Sequence, residues 1–255
     1  MAARRRRAPC EYPCGVSVLE VDGLTLSYEV YGAGPAIGIP WCNFAWHALD
    51  LGLLTAAYTV VVASPRGFGN SERVGSGYDA STIRTDLEAV LDHVGIEQYV
   101  AFGYSMTGSV APWLAHDNPR VRAVVSGGFP TASSYGGVLP YITANLAETQ
   151  QDPVRWAEMS RKFDPDALLA WYRHLDSLRP GELVDRLDCP IYCFWGGADE
   201  VIEELVGLKA LVTDTASRDI PFVVHAGRDH EGMLLDIDVA ARTLLPWLRD
   251  VWPPR

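Results

Sequence analysis

The sequence predicts an α/β protein, a mostly parallel sheet with helices on both faces and an antiparallel hairpin at its start. Three observations carry that expectation. Short apolar runs of strand length recur along the chain, amphipathic helical periods separate them, and one long stretch between two runs contains no strand pattern.

The elements follow in chain order. Residues 1–15 hold the basic block Arg4 to Arg7, and the "APCEYPCGV" after it lacks the apolar core of a signal peptide, so the segment reads as a disordered basic tail. "VSVLEVDGLTLSYEVYG" reads as two strands around Asp22-Gly23, a strong hairpin signal. "AIGI" and "TVVVAS" are short buried strands. Between residues 79 and 94, Ile83, Leu87, Val90, Leu91 and Val94 share one helix face; Asp79 or Ser81 caps the start and Gly95 ends it. "QYVAFG", "VRAVVS", "PIYCFW" and "PFVVHA" continue the sheet.

The strandless stretch, residues 129–187, carries Leu168, Trp171, Tyr172 and Leu175 at helical spacing, and is too long for a plain loop. It reads as a helical lid inserted between two strands, set over the C-terminal sheet edge where open α/β sheets bind ligands. Residues 16–128 and 188–255 then form the sheet core. The aromatics Tyr135, Tyr141, Trp156, Trp171 and Tyr172 in the lid, with Trp41 and Tyr104 in the core, are substrate-pocket candidates; periodic aromatics more often pack a helix onto the body.

Bulk properties narrow the function. The 255 residues suffice for a large core, and 48% hydrophobic with 21% charged residues is ordinary globular composition. A formal net charge of −11 argues against nucleic acid or an anionic membrane surface as partner. No apolar run is long enough to span a bilayer. The cysteines Cys10, Cys14, Cys42, Cys189 and Cys193 show no trustworthy zinc spacing, so no metal is expected, and they fit a reducing cytoplasm. Oligomeric state is left open.

"YVAFGYSMTGSVAPWLAH" supplies strand, sharp turn and helix, with Ser105 at the turn and Gly103 leaving it room. A serine hydroxyl needs a base, an orienting acid and oxyanion donors to become a nucleophile. "VVHAGRDHEGML" offers His230 just past the last apolar strand, and "CFWGGADEVI" offers Asp199 after the preceding one. Asp199 has a rival role as a helix cap. Among the other histidines, His47 and His225 lie nearest the same edge. His225 reads as a satisfied core residue on the strand, and His93, His116 and His174 as helix packing or surface residues.

From about Val16 to Leu248 the chain resembles the α/β-hydrolase fold superfamily. "SPRGFGNSE" resembles that family's D-x-R-G-x-G-x-S turn through Arg66, Gly67, Gly69 and Ser71. "TDLEAVLDHVGIEQYVAFGYSMTG" resembles its helix-strand-elbow segment, and "GRDHEGML" its histidine loop. The resemblance implies a serine hydrolase of small esters or lactones with no cofactor and a small-molecule substrate. Ser105 would be the nucleophile, His230 the base and Asp199 its orienting acid, with the Met106 and Cys42 amides as oxyanion donors. Relatives with this constellation include thioesterases, carbon–carbon bond hydrolases, perhydrolases and small-molecule receptors that hydrolyse slowly or not at all. The alternatives are therefore one of those hydrolase classes or a small-molecule-binding protein of this fold with a slow or vestigial triad. Epoxide hydrolases and haloalkane dehalogenases carry an aspartate at the Ser105 position. Two stretches depart from the family pattern. Pro40-Trp41 stands where His-Gly is usual, and Thr107 where the elbow has glycine, which is expected to widen the helix–strand gap slightly.

Overall fold

The computed structural model describes residues 16–40, 51–132, 137–179 and 181–254. The basic tail, Cys10, Cys14, Trp41, Cys42, His47 and Tyr135 therefore lie outside the described residues. The strands are β1 (Ser17–Val21), β2 (Leu24–Tyr31), β3 (Ala36–Pro40), β4 (Thr59–Ser64), β5 (Tyr99–Tyr104), β6 (Val121–Gly127), β7 (Ile191–Gly196) and β8 (Phe222–His225). They form one eight-stranded sheet in the order β1-β2-β4-β3-β5-β6-β7-β8. β2 runs antiparallel to β1 and β4, and every later pair is parallel. Asp22 and Gly23 both take positive φ, 52° and 77°. That is the turn geometry whose twist suits a two-residue hairpin.

The helices are α1 (Gly52–Thr55), α2 (Ala80–His93), α3 (Met106–Ala115), α4 (Val138–Gln150), α5 (Pro153–Lys162), α6 (Pro165–Asp176), α7 (Glu182–Asp185), α8 (Glu200–Leu205), α9 (Leu208–Ser217), α10 (His230–Leu235) and α11 (Ile237–Val251). Strand side chains alternate between two core layers, as the period of two requires. In β5, Tyr99 and Ala101 enter the layer closed by α2, α3 and α6. Val100, Phe102 and Tyr104 enter the other, closed by α1, α10 and α11. Helix α2 buries Ile83, Leu87, Val90 and Leu91, and the Asp79 carboxylate accepts from the Ser81 and Thr82 amides at its start.

Helix α3 contains Pro112, whose missing N–H leaves the Gly108 carbonyl without its helical donor. Ser126 of β6 supplies one, its Oγ 2.7 Å from that oxygen. The proline thus costs α3 no buried acceptor, and the repair ties the helix to the strand beneath it.

The turn after β4 anchors the junction of α5 and α6, two of the helices between β6 and β7. Arg66 donates from its backbone and guanidinium to the buried Asp86 carboxylate on α2, at 2.6 Å for the shortest contact. Gly67 sits at φ +83°, and a Cβ there would meet the Ala167 methyl of α6 at 2.6 Å. Backbone bonds from Asp164 N to Gly67 O (2.6 Å) and from Gly69 N to Lys162 O (2.7 Å) hold the α5–α6 junction on this turn. Beyond it, α4 buries only Val138 and α5 buries nothing.

Behind α3, Trp113 packs against His116, His174 and Trp171, with the Arg84 guanidinium over its ring. His116 is buried at the end of α3, its Nε2 3.3 Å from the Leu183 carbonyl. Burial holds the His116 and His174 imidazoles below the ordinary histidine pKa, and the Arg charge nearby pushes His116 the same way. Both rings are therefore neutral in the fold at neutral pH. An unfolded histidine takes its proton near pH ~6.5, so stability falls as pH drops below that value and levels off below the folded pKa values. We expect the melting temperature to fall between pH 7 and 5, and to fall less in a His116→Gln/His174→Gln variant. The lowered carboxylates Asp79 and Asp185 act only at more acid pH. An equal fall in that variant would remove these two rings as its origin.

Candidate active site

Ser105 stands between β5 and α3 with φ 57° and ψ −127°, a backbone conformation an L residue enters only under strain. Neighbouring structure holds it there. The Ser105 amide donates to Gly127 O of β6 at 2.9 Å. A Cβ at Gly103 would come within 1.8 Å of the Thr107 carbonyl, so only glycine lets α3 turn back so closely.

Thr107 is part of this hold. Its Oγ1 lies 2.9 Å from both Tyr104 N and Tyr104 O, accepting from the first and donating to the second. The Ser105 amide faces β6, so the Tyr104 amide faces β3, whose pairing with β5 ends at Gly38 and Ala101. The hydroxyl therefore closes a strand end, a role absent from the expectation that Thr107 merely spaces helix from strand. Thr107→Val keeps the shape and strands the buried Tyr104 amide, which we expect to cost ~1–3 kcal/mol. Urea unfolding with an unchanged m-value checks this. A shift below ~0.5 kcal/mol would show that the clamp is idle.

His230 opens α10, and Asp229 at its N-cap accepts from the Gly232 amide. The His230 Nε2 lies 2.9 Å from Ser105 Oγ, and its Nδ1 lies 3.0 and 2.8 Å from the two Asp199 oxygens. Asp199 has no exposed side-chain surface, and His230 little. A carboxylate accepts only, so Nδ1 carries the proton and Nε2 is left to accept from the serine hydroxyl. Asp199 also caps α8, its Oδ1 2.9 Å from the Ile202 amide. Its two rival sequence roles are thus one geometry, because the cap fixes the carboxylate that faces the imidazole.

Met106 is the first residue of α3, and Ser105, Met106 and His230 line one cavity of about 440 Å³. The rest of its wall is mainly apolar: Phe129, Val138, Ile142, Met159, Phe163, Leu168, Val201 and Leu205. Tyr141 and Tyr172 are the pocket candidates that face it, and α5 adds Arg155, Glu158 and Lys162.

Three candidates are corrected. Trp171 is fully buried with Nε1 donating to Ser109 Oγ at 2.9 Å, so it docks α6 on α3. Leu168 and Tyr172, four apart, face the cavity, whereas Trp171 and Leu175 turn to the core. Trp156 is half-buried on α5 and outside the cavity wall. Tyr104 points to the opposite sheet face by the one-residue alternation of β5. His225 is not a satisfied core residue either, because it is half-buried with no partner at Nε2.

The thiols offer no rival nucleophile among the described residues. Burial pushes Cys193 up to about 12 and Cys189 to about 11, so both stay protonated. No group of three metal-ligating side chains gathers among the described residues.

With fold and geometry in view, the comparisons place the chain. A family model of the alpha/beta hydrolase fold matches residues 31–162. The chain belongs to the α/β-hydrolase fold family. It is 35% identical over 108 residues to a putative non-heme chloroperoxidase of Synechocystis, covering 40% of this chain and 39% of that protein. It is 30% identical over 118 residues to a bifunctional esterase/perhydrolase of Acinetobacter calcoaceticus, 43% of each. The matches thus span about two fifths of these relatives' length. Among solved structures, a hydrolase from Pseudomonas aeruginosa superposes with TM-score 0.70 at 19% identity, covering 91% of this chain and 98% of that one. A bromoperoxidase from Bacillus anthracis gives 0.71 at 16%, with 92% and 100% covered. At these identities the structural likeness speaks for the fold. No helix among the described residues is long and apolar enough to cross a membrane.

Proposed function

We propose that the chain is a serine hydrolase that cleaves small, partly apolar carboxylic esters or lactones through an acyl-enzyme. The observation that carries the reading is the continuous line of short contacts from Asp199 through His230 to Ser105 at the wall of the cavity. His230 Nε2 takes the hydroxyl proton as Oγ attacks the substrate carbonyl, and Asp199 stabilises the imidazolium that results. The tetrahedral oxyanion meets amides at the start of α3, Met106 first, where the helix leaves N–H groups without internal partners. Collapse expels the alcohol with the proton His230 holds, and water repeats the cycle to free the acid and Ser105.

The mainly apolar wall supports an uncharged substrate, and ~440 Å³ falls within the usual range for small-ligand sites. In this reading residues 129–187 act as a lid that shields the acyl-enzyme, and its sparse burial at α4 and α5 lets it admit substrate. Two free thiols, Cys189 and Cys193, agree with a cytoplasmic location.

A panel of p-nitrophenyl esters of increasing acyl length, with γ- and δ-lactones, tests the reading. Turnover is expected, with a burst of nitrophenol approaching the enzyme concentration on esters whose deacylation is the slow step. Absence of turnover and burst across the panel would contradict ester and lactone hydrolysis.

A further inference from the structure

We infer that Tyr104 is a positioning residue that joins the Ser105 turn to the His230 loop and so sets the distance between the two reacting side chains. The inference rests on the proposed Ser105–His230 chemistry and names a residue that serves it from the far side of the sheet.

Three contacts carry it. The Tyr104 hydroxyl donates to the His230 backbone carbonyl at 2.8 Å. Its ring centroid lies 5.2 Å from that of the His230 imidazole. Its own backbone is held at both N–H and C=O by the Thr107 hydroxyl. Tyr104 is also the covalent neighbour of Ser105. One buried residue thus fixes the nucleophile through the chain and the base through its side chain.

A tyrosine placed only to fill the core would leave its hydroxyl any nearby acceptor, and phenylalanine would fill the same volume. Here the hydroxyl bonds the residue whose imidazole must stay 2.9 Å from Ser105 Oγ. The other holds on His230 are the Asp199 carboxylate at Nδ1 and Glu200, whose Oε2 lies 3.4 Å from the His230 amide, and the Tyr104 hydroxyl adds the hold on its backbone carbonyl. Burial keeps the phenol protonated far above the ordinary tyrosine range, reinforced by Asp199, Glu200 and Asp229, so the donor persists at every working pH. Alignment errors of about 1 Å can cost ~10²-fold in rate, and loss of one bond among several that restrain the base loop costs a part of that.

The test uses full-length wild type, Tyr104→Phe and, as a packing control, Phe194→Leu. Each is inactivated with an alkyl fluorophosphonate, and the maximal inactivation rate is separated from the half-saturating concentration. Tyr104→Phe is expected to slow the maximal rate about 10-fold at unchanged half-saturation. In proton spectra, the downfield resonance of the imidazole Nδ1 proton bonded to Asp199 should broaden through faster exchange. Phe194→Leu should lower the melting temperature while keeping rate and resonance. A Tyr104→Phe protein that reacts at the wild-type rate with an unchanged resonance overturns the positioning role. So does a Phe194→Leu protein that slows as much. Failure of the wild type itself to react at Ser105 would instead overturn the hydrolase reading, so the two failures are distinct.

Discussion

Ser105→Ala is expected to lower kcat on any ester or lactone the wild type turns over by roughly 10⁵- to 10⁶-fold, the scale on which removal of a serine nucleophile acts in hydrolases that use one. Oxyanion donors and cavity remain, so a residual rate above water is expected. The fold should not suffer, because alanine fits the site and occupies the same strained backbone at φ 57°. A companion variant separates chemistry from stability. Ser105→Gly removes the same nucleophile but accepts positive φ freely, so it should unfold ~1 kcal/mol later than Ser105→Ala. Paired urea curves and progress curves read both effects. Activity within tenfold of wild type in either variant would move the nucleophile elsewhere.

Asp199→Asn carries the second largest effect, a loss of about 10⁴-fold in kcat with stability nearly retained. Asparagine caps a helix as well as aspartate, so the Ile202 amide keeps its acceptor and α8 its start. The other half of the side chain becomes an amide. With its oxygen committed to Ile202, its NH₂ faces His230 Nδ1 and favours the tautomer in which Nε2 carries the proton. Nε2 can then no longer accept from the Ser105 hydroxyl 2.9 Å away. Asp199→Ala adds loss of the cap, ~1 kcal/mol. If the Asn and Ala variants unfolded at the wild-type midpoint with full activity, the buried carboxylate would have neither role.

The sheet was legible in the sequence because its inner strands β3 to β7 are short apolar runs buried on both faces, and helices with one apolar stripe lie between them. The hairpin was legible from Asp22-Gly23 alone. Ser105, Asp199 and His230 could be singled out because each sits just past the C-terminal end of a strand, and those ends gather on one edge. Their distances could not be read, being set by the returns of β5, β7 and β8 across the sheet. The cavity wall was harder. Residue type drew Trp171 and Tyr104 into it, yet orientation decides. Trp171 turns to α3 by one helical position, and Tyr104 to the opposite face by one strand position. The aliphatic wall of Val138, Ile142, Leu168 and Leu205 left no signal, because core and pocket leucines read alike. Thr107 was visible as a departure from glycine, but its bonds to Tyr104 depend on a turn whose backbone the sequence does not specify.

The central claim is that Ser105 is activated by His230, and intact mass after treatment with a fluorophosphonate tests it most directly. An unactivated serine does not react with this probe, and the buried thiols are protonated. We predict a single adduct on the wild type, mapped by peptide fragmentation to Ser105, strongly slowed in His230→Ala and absent in Ser105→Ala. An unlabelled wild type, or an adduct that persists in Ser105→Ala, would contradict the account.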